Sequence, residues 1–81
     1  MNAMIAGRIM EIGMMMNRFE GIEAYVMLHG NTGCLCVQIT EDKTQSYENR
    51  AFASNEAAML EIKRDMVKMH QELVKSGRMY R

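Results

Sequence analysis

Residues 22–40 read IEAYVMLHGNTGCLCVQIT, and the alternation within this segment is the main evidence for the fold class. Apolar residues alternate with other residues on both sides of the segment GNTG at positions 30–33, whose composition is typical of a turn. Two alternating runs around a short Gly-rich turn predict a β-hairpin. A second polar turn at residues 41–44 is followed by residues 45–52, which predict another strand. We therefore expect antiparallel strands across residues 20–52.

The segment after these strands has the periodicity of an amphipathic helix. Its large apolar residues recur at steps of three and four, the spacing of one helix face; they are Met59, Ile62, Met66, Met69 and Leu73. Ser54 or Asn55 can cap the first amides, and Gly77 can close the helix in a left-handed conformation. The pattern predicts a helix over residues 55–75.

The first segment, residues 5–17, fits two structures. A helix face is formed by Ile5, Ile9, Ile12 and Met16, whereas a strand face is formed by Met10, Ile12, Met14 and Met16. Gly7 and Gly13 each disfavour a helix by up to about 1 kcal/mol, so we favour a strand and keep the helix as the alternative. Residues 1–81 are thus predicted to form a single small α+β domain of order ββββα. It has an antiparallel meander of three or four strands with one C-terminal helix packed on one face.

A single helix covers only one face of a sheet. The alternation leaves a second, partly apolar face, and we predict that it binds a partner through Tyr25, Met27, His29, Cys34 and Cys36. The expected partners are a second copy of the chain, giving a homodimer, and an unidentified protein. Open edge strands offer another route to pairing.

The sequence offers little chemistry for catalysis or cofactor binding. Met66, Met69 and His70 lie within one helical turn and, with Cys34 and Cys36, are candidate Cu(I) ligands. Cys34, Cys36, His29 and His70 are candidate zinc ligands but lack a recognised spacing. Packing is the simpler explanation for the methionines, so we predict no metal and no cofactor. A Cys–His pair is conceivable on the second face, yet no coherent catalytic set emerges, and we expect a protein that is not an enzyme.

Nucleic-acid binding is a weaker alternative. The predicted helix and the basic tail at residues 76–81 offer Lys75, Arg78 and Arg81 as contacts to phosphate. Acidic residues are interleaved with the basic ones along the helix, so the charges offset each other. A loose tail is the simpler expectation for residues 76–81.

The composition narrows the remaining classes. The chain has 81 residues, of which 48% are hydrophobic, and ten basic residues balance ten acidic ones. This excludes a disordered segment and a disulfide scaffold. No apolar run approaches the length of a membrane span, and Cys34 and Cys36, one residue apart, are expected to be reduced thiols in the cytoplasm.

These observations lead to one functional expectation and two alternatives. We expect a small, homo-oligomeric protein-binding module that acts as an accessory or inhibitor protein. The anti-defence proteins of phages and mobile elements are one type within this class. The alternatives are a nucleic-acid-binding protein and a small-ligand-binding protein with a pocket between protomers, lined by Met and Tyr.

Overall fold

The computed structural model describes residues 3–81, which form two helices and one three-stranded sheet. In chain order the elements are α1 (Ala3–Met16), β1 (Ile22–His29), β2 (Cys34–Glu41), β3 (Thr44–Phe52) and α2 (Glu56–Ser76). The α+β class is therefore confirmed.

The strands form an antiparallel meander in the order β1-β2-β3. The first turn closes with a hydrogen bond of 2.7 Å from the Gly33 amide to the His29 carbonyl, and Gly33 has a positive φ of 70°. The second hairpin has a two-residue loop in which Asp42 and Lys43 have φ values of 50° and 70°. Positive φ at both central residues is typical of the turn whose twist matches that of paired strands.

Residues 5–16 of the segment for which we favoured a strand lie in α1, so the meander has three strands and not four, and the order ββββα is wrong. The deciding factor is tertiary: Ile9, Ile12 and Met16 are buried in the core. Burial of each such side chain is worth about 1.5–3 kcal/mol, more than the helix cost of the glycines. Gly13 also permits close packing, because a Cβ there would stand 3.0 Å from Cγ2 of Val26.

The second helix, α2, lies within one residue of the predicted range 55–75. The side chain of Asn55 accepts a hydrogen bond of 3.1 Å from the Ala58 amide, as an N-cap does. Gly77 has a φ of 73° and ends the helix in the left-handed conformation. Both predicted end signals are therefore used.

Both helices cover the same face of the sheet. The core joins side chains of α1 and α2 to inward-facing residues of all three strands; its members are Ala6, Ile9, Ile12, Met16, Phe19, Ile22, Leu35, Val37, Ile39, Ala51, Met59, Ile62 and Met66. A hydrogen bond of 2.8 Å from the Tyr47 hydroxyl to Asp65 ties β3 to α2 beside this core. The other face of the sheet has no helix on it among the described residues. Neither α1 nor α2, the helices of residues 3–81, has the length and apolar character to cross a membrane.

Candidate protein-binding surface

The sheet face opposite the helices, here called the open face, brings the predicted partner-binding residues together. Strand alternation and register arrange its side chains in rows that run across the three strands. The two central rows are Tyr25, Gln38, Glu48 and Met27, Cys36, Arg50; the outer rows are Glu23, Thr40, Gln45 and His29, Cys34, Phe52.

The apolar part of the open face is continuous. Tyr25, Met27 and Phe52 are 54%, 53% and 59% exposed, respectively. Met27 pairs in register with Cys36, and Phe52 pairs with Cys34, so the half-buried thiols connect the exposed side chains. Large contiguous apolar areas on a small protein indicate a contact surface, whereas scattered apolar residues do not.

Charged and polar groups adjoin this apolar area, in the central rows as well as in the outer ones. Glu48 accepts hydrogen bonds from Gln45 at 3.0 Å and Gln38 at 3.3 Å, and its other oxygen lies 3.5 Å from Arg50. The Tyr25 hydroxyl lies 3.5 Å from a carboxylate oxygen of Glu23. Protein–protein interfaces likewise combine apolar contact area with polar groups. Between the side chains lies a hollow of about 240 Å³.

The two thiols of the open face lie close together on β2. The Sγ atoms of Cys34 and Cys36 are 3.9 Å apart. Burial raises the pKa of the Cys34 thiol, and the neighbouring Cys36 acts in the same direction. A thiol with a raised pKa is a poor nucleophile at neutral pH, because the thiolate is the reactive form. His29 is the register partner of Cys34, yet among the described residues no hydrogen bond joins this imidazole to either thiol.

The residues considered as metal ligands are placed for packing. Met66 is buried in the core, Met69 packs against the core, and His70 meets the edge of the Phe19 ring at 6.1 Å between centroids. Across residues 3–81, no group of three or more His, Cys, Asp or Glu side chains is arranged to hold a metal ion.

The arginines of the C-terminal tail make internal contacts. Arg78 forms ion pairs of 2.7 Å with Glu41 and 3.1 Å with Asp42, and Arg81 donates to the Ile22 carbonyl at 2.6 Å. Arg78 and Arg81 are therefore engaged within the fold, which counts against their use as phosphate contacts. Lys75 remains exposed at the end of α2.

The expectation of a loose tail for residues 76–81 is also wrong, because the tail makes contacts within the fold. The Tyr80 ring stacks on Phe19 at 4.7 Å between centroids, and the Glu20 amide donates to the Met79 carbonyl at 2.8 Å. Residues 19 and 80 form an isolated antiparallel bridge. These contacts dock the tail on the connection between α1 and β1.

A second concavity lies between α2 and the sheet. It has a volume of about 370 Å³, within the range of small-ligand pockets. Its floor is apolar and its rim polar; the lining residues are Met16, Ile22, Ile39, Glu41, Ser46, Met69, Glu72, Leu73, Ser76 and Arg78. This cleft lies within one chain, whereas the predicted ligand pocket was placed between protomers.

The structure adds three residues of β3 to the predicted surface. Glu48, Arg50 and Phe52 alternate along β3 and belong to the same face as Met27 and Cys36. The signal was present in the sequence, because residues 45–52 were recognised as a strand. Assigning these side chains to a face required the register between β2 and β3, which the bulge between Ile39 and Thr40 shifts.

Comparison with known proteins finds no matching family model, no matching curated protein and no matching solved structure.

Proposed function

We propose that this chain is a small, non-enzymatic protein-binding module that contacts another polypeptide chain through the open face. One observation carries the proposal: Tyr25, Met27 and Phe52 form a continuous exposed apolar area with the two half-buried thiols. Both helices already pack on the opposite face, so no element among residues 3–81 covers this area.

The chemistry of the open face agrees with binding better than with catalysis. The Cys34 thiol has a raised pKa, and among the described residues no hydrogen bond links either thiol to His29. A binding module of this size suits an accessory or inhibitor role. An anti-defence protein is one example of that role. A cytoplasmic location belongs to the same proposal and is supported by two thiols whose placement on one strand disfavours a disulfide.

The test is the double substitution Tyr25→Glu and Met27→Glu. Two buried carboxylates in an interface cost far more than two exposed ones in a monomer, so binding should be lost while the fold is kept. The matched control is Met10→Glu with Met14→Glu, two exposed methionines of α1 away from the open face.

The measurement is retention of protein by the immobilised chain, using the same chain and proteins of the source cell as analytes. We expect the wild type and the α1 control to retain protein and the Tyr25/Met27 variant to retain none. Equal retention by all three proteins, with unchanged circular dichroism, would show that the open face is not the binding surface.

A further inference from the structure

We infer that the partner of the open face is a second copy of this chain, inverted so that each strand lies against its own counterpart. This inference rests on the proposed function and adds the identity and orientation of the partner. It comes from the distribution of charge and apolar surface over the central rows, which is complementary to itself under one particular two-fold rotation.

The rotation axis lies between the two sheets and runs across the strands, between the two central rows. A half-turn about this axis keeps each strand opposite itself and exchanges the two central rows. Tyr25 then faces Met27 of the second copy, and Glu48 faces Arg50 of the second copy. Because such an interface is isologous, each of these contacts occurs twice.

The outer rows agree with this arrangement on β1 only, since on β3 the rotation sets Phe52 opposite Gln45 of the second copy. The same rotation sets Glu23 opposite His29 of the second copy, an acid facing an imidazole. Packed sheets are rotated by about 30° relative to each other, which displaces the outer rows more than the central ones. The central contacts of Tyr25 with Met27 and of Glu48 with Arg50 therefore define the arrangement.

The charged groups are available for an intermolecular pair. The Arg50 side chain is 70% exposed, and its contact with Glu48 of the same chain is long, at 3.5 Å. Exposed pairs of this kind contribute little within one chain, so their exchange for pairs between copies has a low cost. Complementary charges across an interface chiefly determine its orientation.

The other face-to-face rotation, about an axis along β2, matches the surface less well. It sets β1 against β3 of the second copy, so that Met27 faces Arg50 and Tyr25 faces Glu48. Apolar side chains would then meet charges, and neither charge would meet its opposite. This rotation also sets Cys36 opposite Cys36, which makes the two arrangements distinguishable by cross-linking.

The size of the open face predicts a dimer that dissociates on dilution. Three strands of about eight residues cover a projected area of about 14 by 27 Å, or about 400 Å². A standard interface buries about 800 Å² of accessible surface on each partner, and smaller ones are weak or transient.

The decisive experiment mixes two charge-reversed variants, Glu48→Arg and Arg50→Glu. Each variant alone opposes like charges twice in a dimer, so its dissociation constant should rise at least about tenfold. In the mixture, the arginine introduced at position 48 of one chain faces the glutamate introduced at position 50 of the other. The unchanged Arg50 and Glu48 face each other as in the wild type. We expect the mixture to form heterodimers with nearly wild-type affinity, measured by analytical ultracentrifugation with one variant fluorescently labelled.

A cross-linking experiment tests the same geometry without changing the charges. Cys36 faces residue 38 of the second copy in the inferred arrangement, since Gln38 and Cys36 occupy the middle of the two central rows. Cys34→Ser keeps Cys36 as the one thiol, and Cys34→Ser/Cys36→Ser/Gln38→Cys moves the thiol to position 38. A short bifunctional maleimide should join these two variants to each other faster than it joins either variant to itself, because the like positions are offset by about 7 Å along the strand.

The outcomes separate this inference from the proposed function. Self-linking of the Cys36 variant that is faster than its linking to the position-38 variant, or a failure of the charge-reversed mixture to recover affinity, overturns the inferred orientation. If the Tyr25/Met27 variant still loses binding in that case, the proposed function stands with a different geometry. A wild type that stays monomeric at millimolar concentration and binds another protein overturns the second copy as the partner.

Discussion

Asn17 closes part of the free edge of β1. Its side-chain amide donates to the Ala24 carbonyl at 2.9 Å, and its side-chain oxygen accepts from the Ala24 amide at 2.7 Å. One side chain thus replaces the two hydrogen bonds of a missing strand. The Arg81 guanidinium likewise donates a hydrogen bond to the Ile22 carbonyl. Edge strands with unpaired amides promote aggregation, so these contacts protect the fold. They also favour the open face over the β1 edge as the route to self-association.

The substitution Asn17→Ala should expose this edge. It leaves the amide and the carbonyl of Ala24 without their partner, at an expected cost of about 1–2 kcal/mol in the free energy of unfolding. Urea titration measures this loss, with Asn31→Ala in the exposed first turn as the control, expected to change stability by less than about 0.5 kcal/mol. Equal stability of the two variants would mean that the Asn17 contacts do not stabilise the native edge.

Contacts between residues far apart in the chain could not be predicted from the sequence. Arg78 was identified as a basic group of the tail, yet its partner Asp42 is 36 residues away and the Glu20 carbonyl is 58 residues away. Local patterns do not report such pairings. The composition of residues 76–81 therefore suggested a loose basic segment, although the folded chain engages both arginines internally.

The C-terminal tail connects the end of α2 to the second hairpin and to the start of β1. Arg78 binds the carboxylates of Glu41 and Asp42, and the guanidinium holds the pKa of Asp42 below its ordinary value. Because Asp42 has a lowered pKa in the folded state, this contact stabilises the fold above the ordinary carboxyl pKa. The stabilisation is lost as the pH falls through the lowered value.

The pH dependence of an Arg78→Met variant tests this attachment. The variant should be less stable than the wild type at pH 6, and the difference should shrink as the pH is lowered towards 3. Thermal unfolding at both pH values measures this, and Arg8→Met, which removes the exposed pair of Arg8 with Glu11, is the matched control. A difference in stability that stays constant over this range would show that the ion pair with Asp42 contributes nothing.

The predictability of an element depended on how local its signals were. The hairpin and α2 were predicted because turn composition, caps and periodicity all lie within their own segments. For α1 the helix and strand patterns share Ile12 and Met16, so periodicity could not decide between them. The deciding fact is spatial: Gly13 lies against Val26 of β1, a contact that the sequence does not reveal.

The whole molecule has a hydrophobic layer on one side of its sheet and a partly apolar surface on the other. Strand alternation alone predicted this asymmetry. The helix α1, for which we favoured a strand, does not change it, because α1 packs beside α2 on the face already assigned to the core. The open face therefore stays uncovered, although the fold has two helices and not one. The additional helix packs on the opposite face. It adds buried area to a domain of 81 residues, a size at which stability is modest.

Self-association through the open face should couple stability to concentration. A dimer that forms only from folded chains raises the midpoint of thermal unfolding by mass action. For a chain of this length the rise is about 4 °C per tenfold increase in concentration well above the dissociation constant. Differential scanning calorimetry from micromolar to millimolar concentration measures this slope.

The Tyr25→Glu/Met27→Glu variant provides the comparison, because both side chains are exposed in the single chain. Its midpoint should be close to that of the wild type at the lowest concentration, since surface substitutions change stability by less than about 0.5 kcal/mol. At high concentration only the wild type should gain stability. Parallel slopes for the two proteins would mean that association does not involve the open face, whereas a common drop at every concentration would mean that the two residues stabilise the single chain instead.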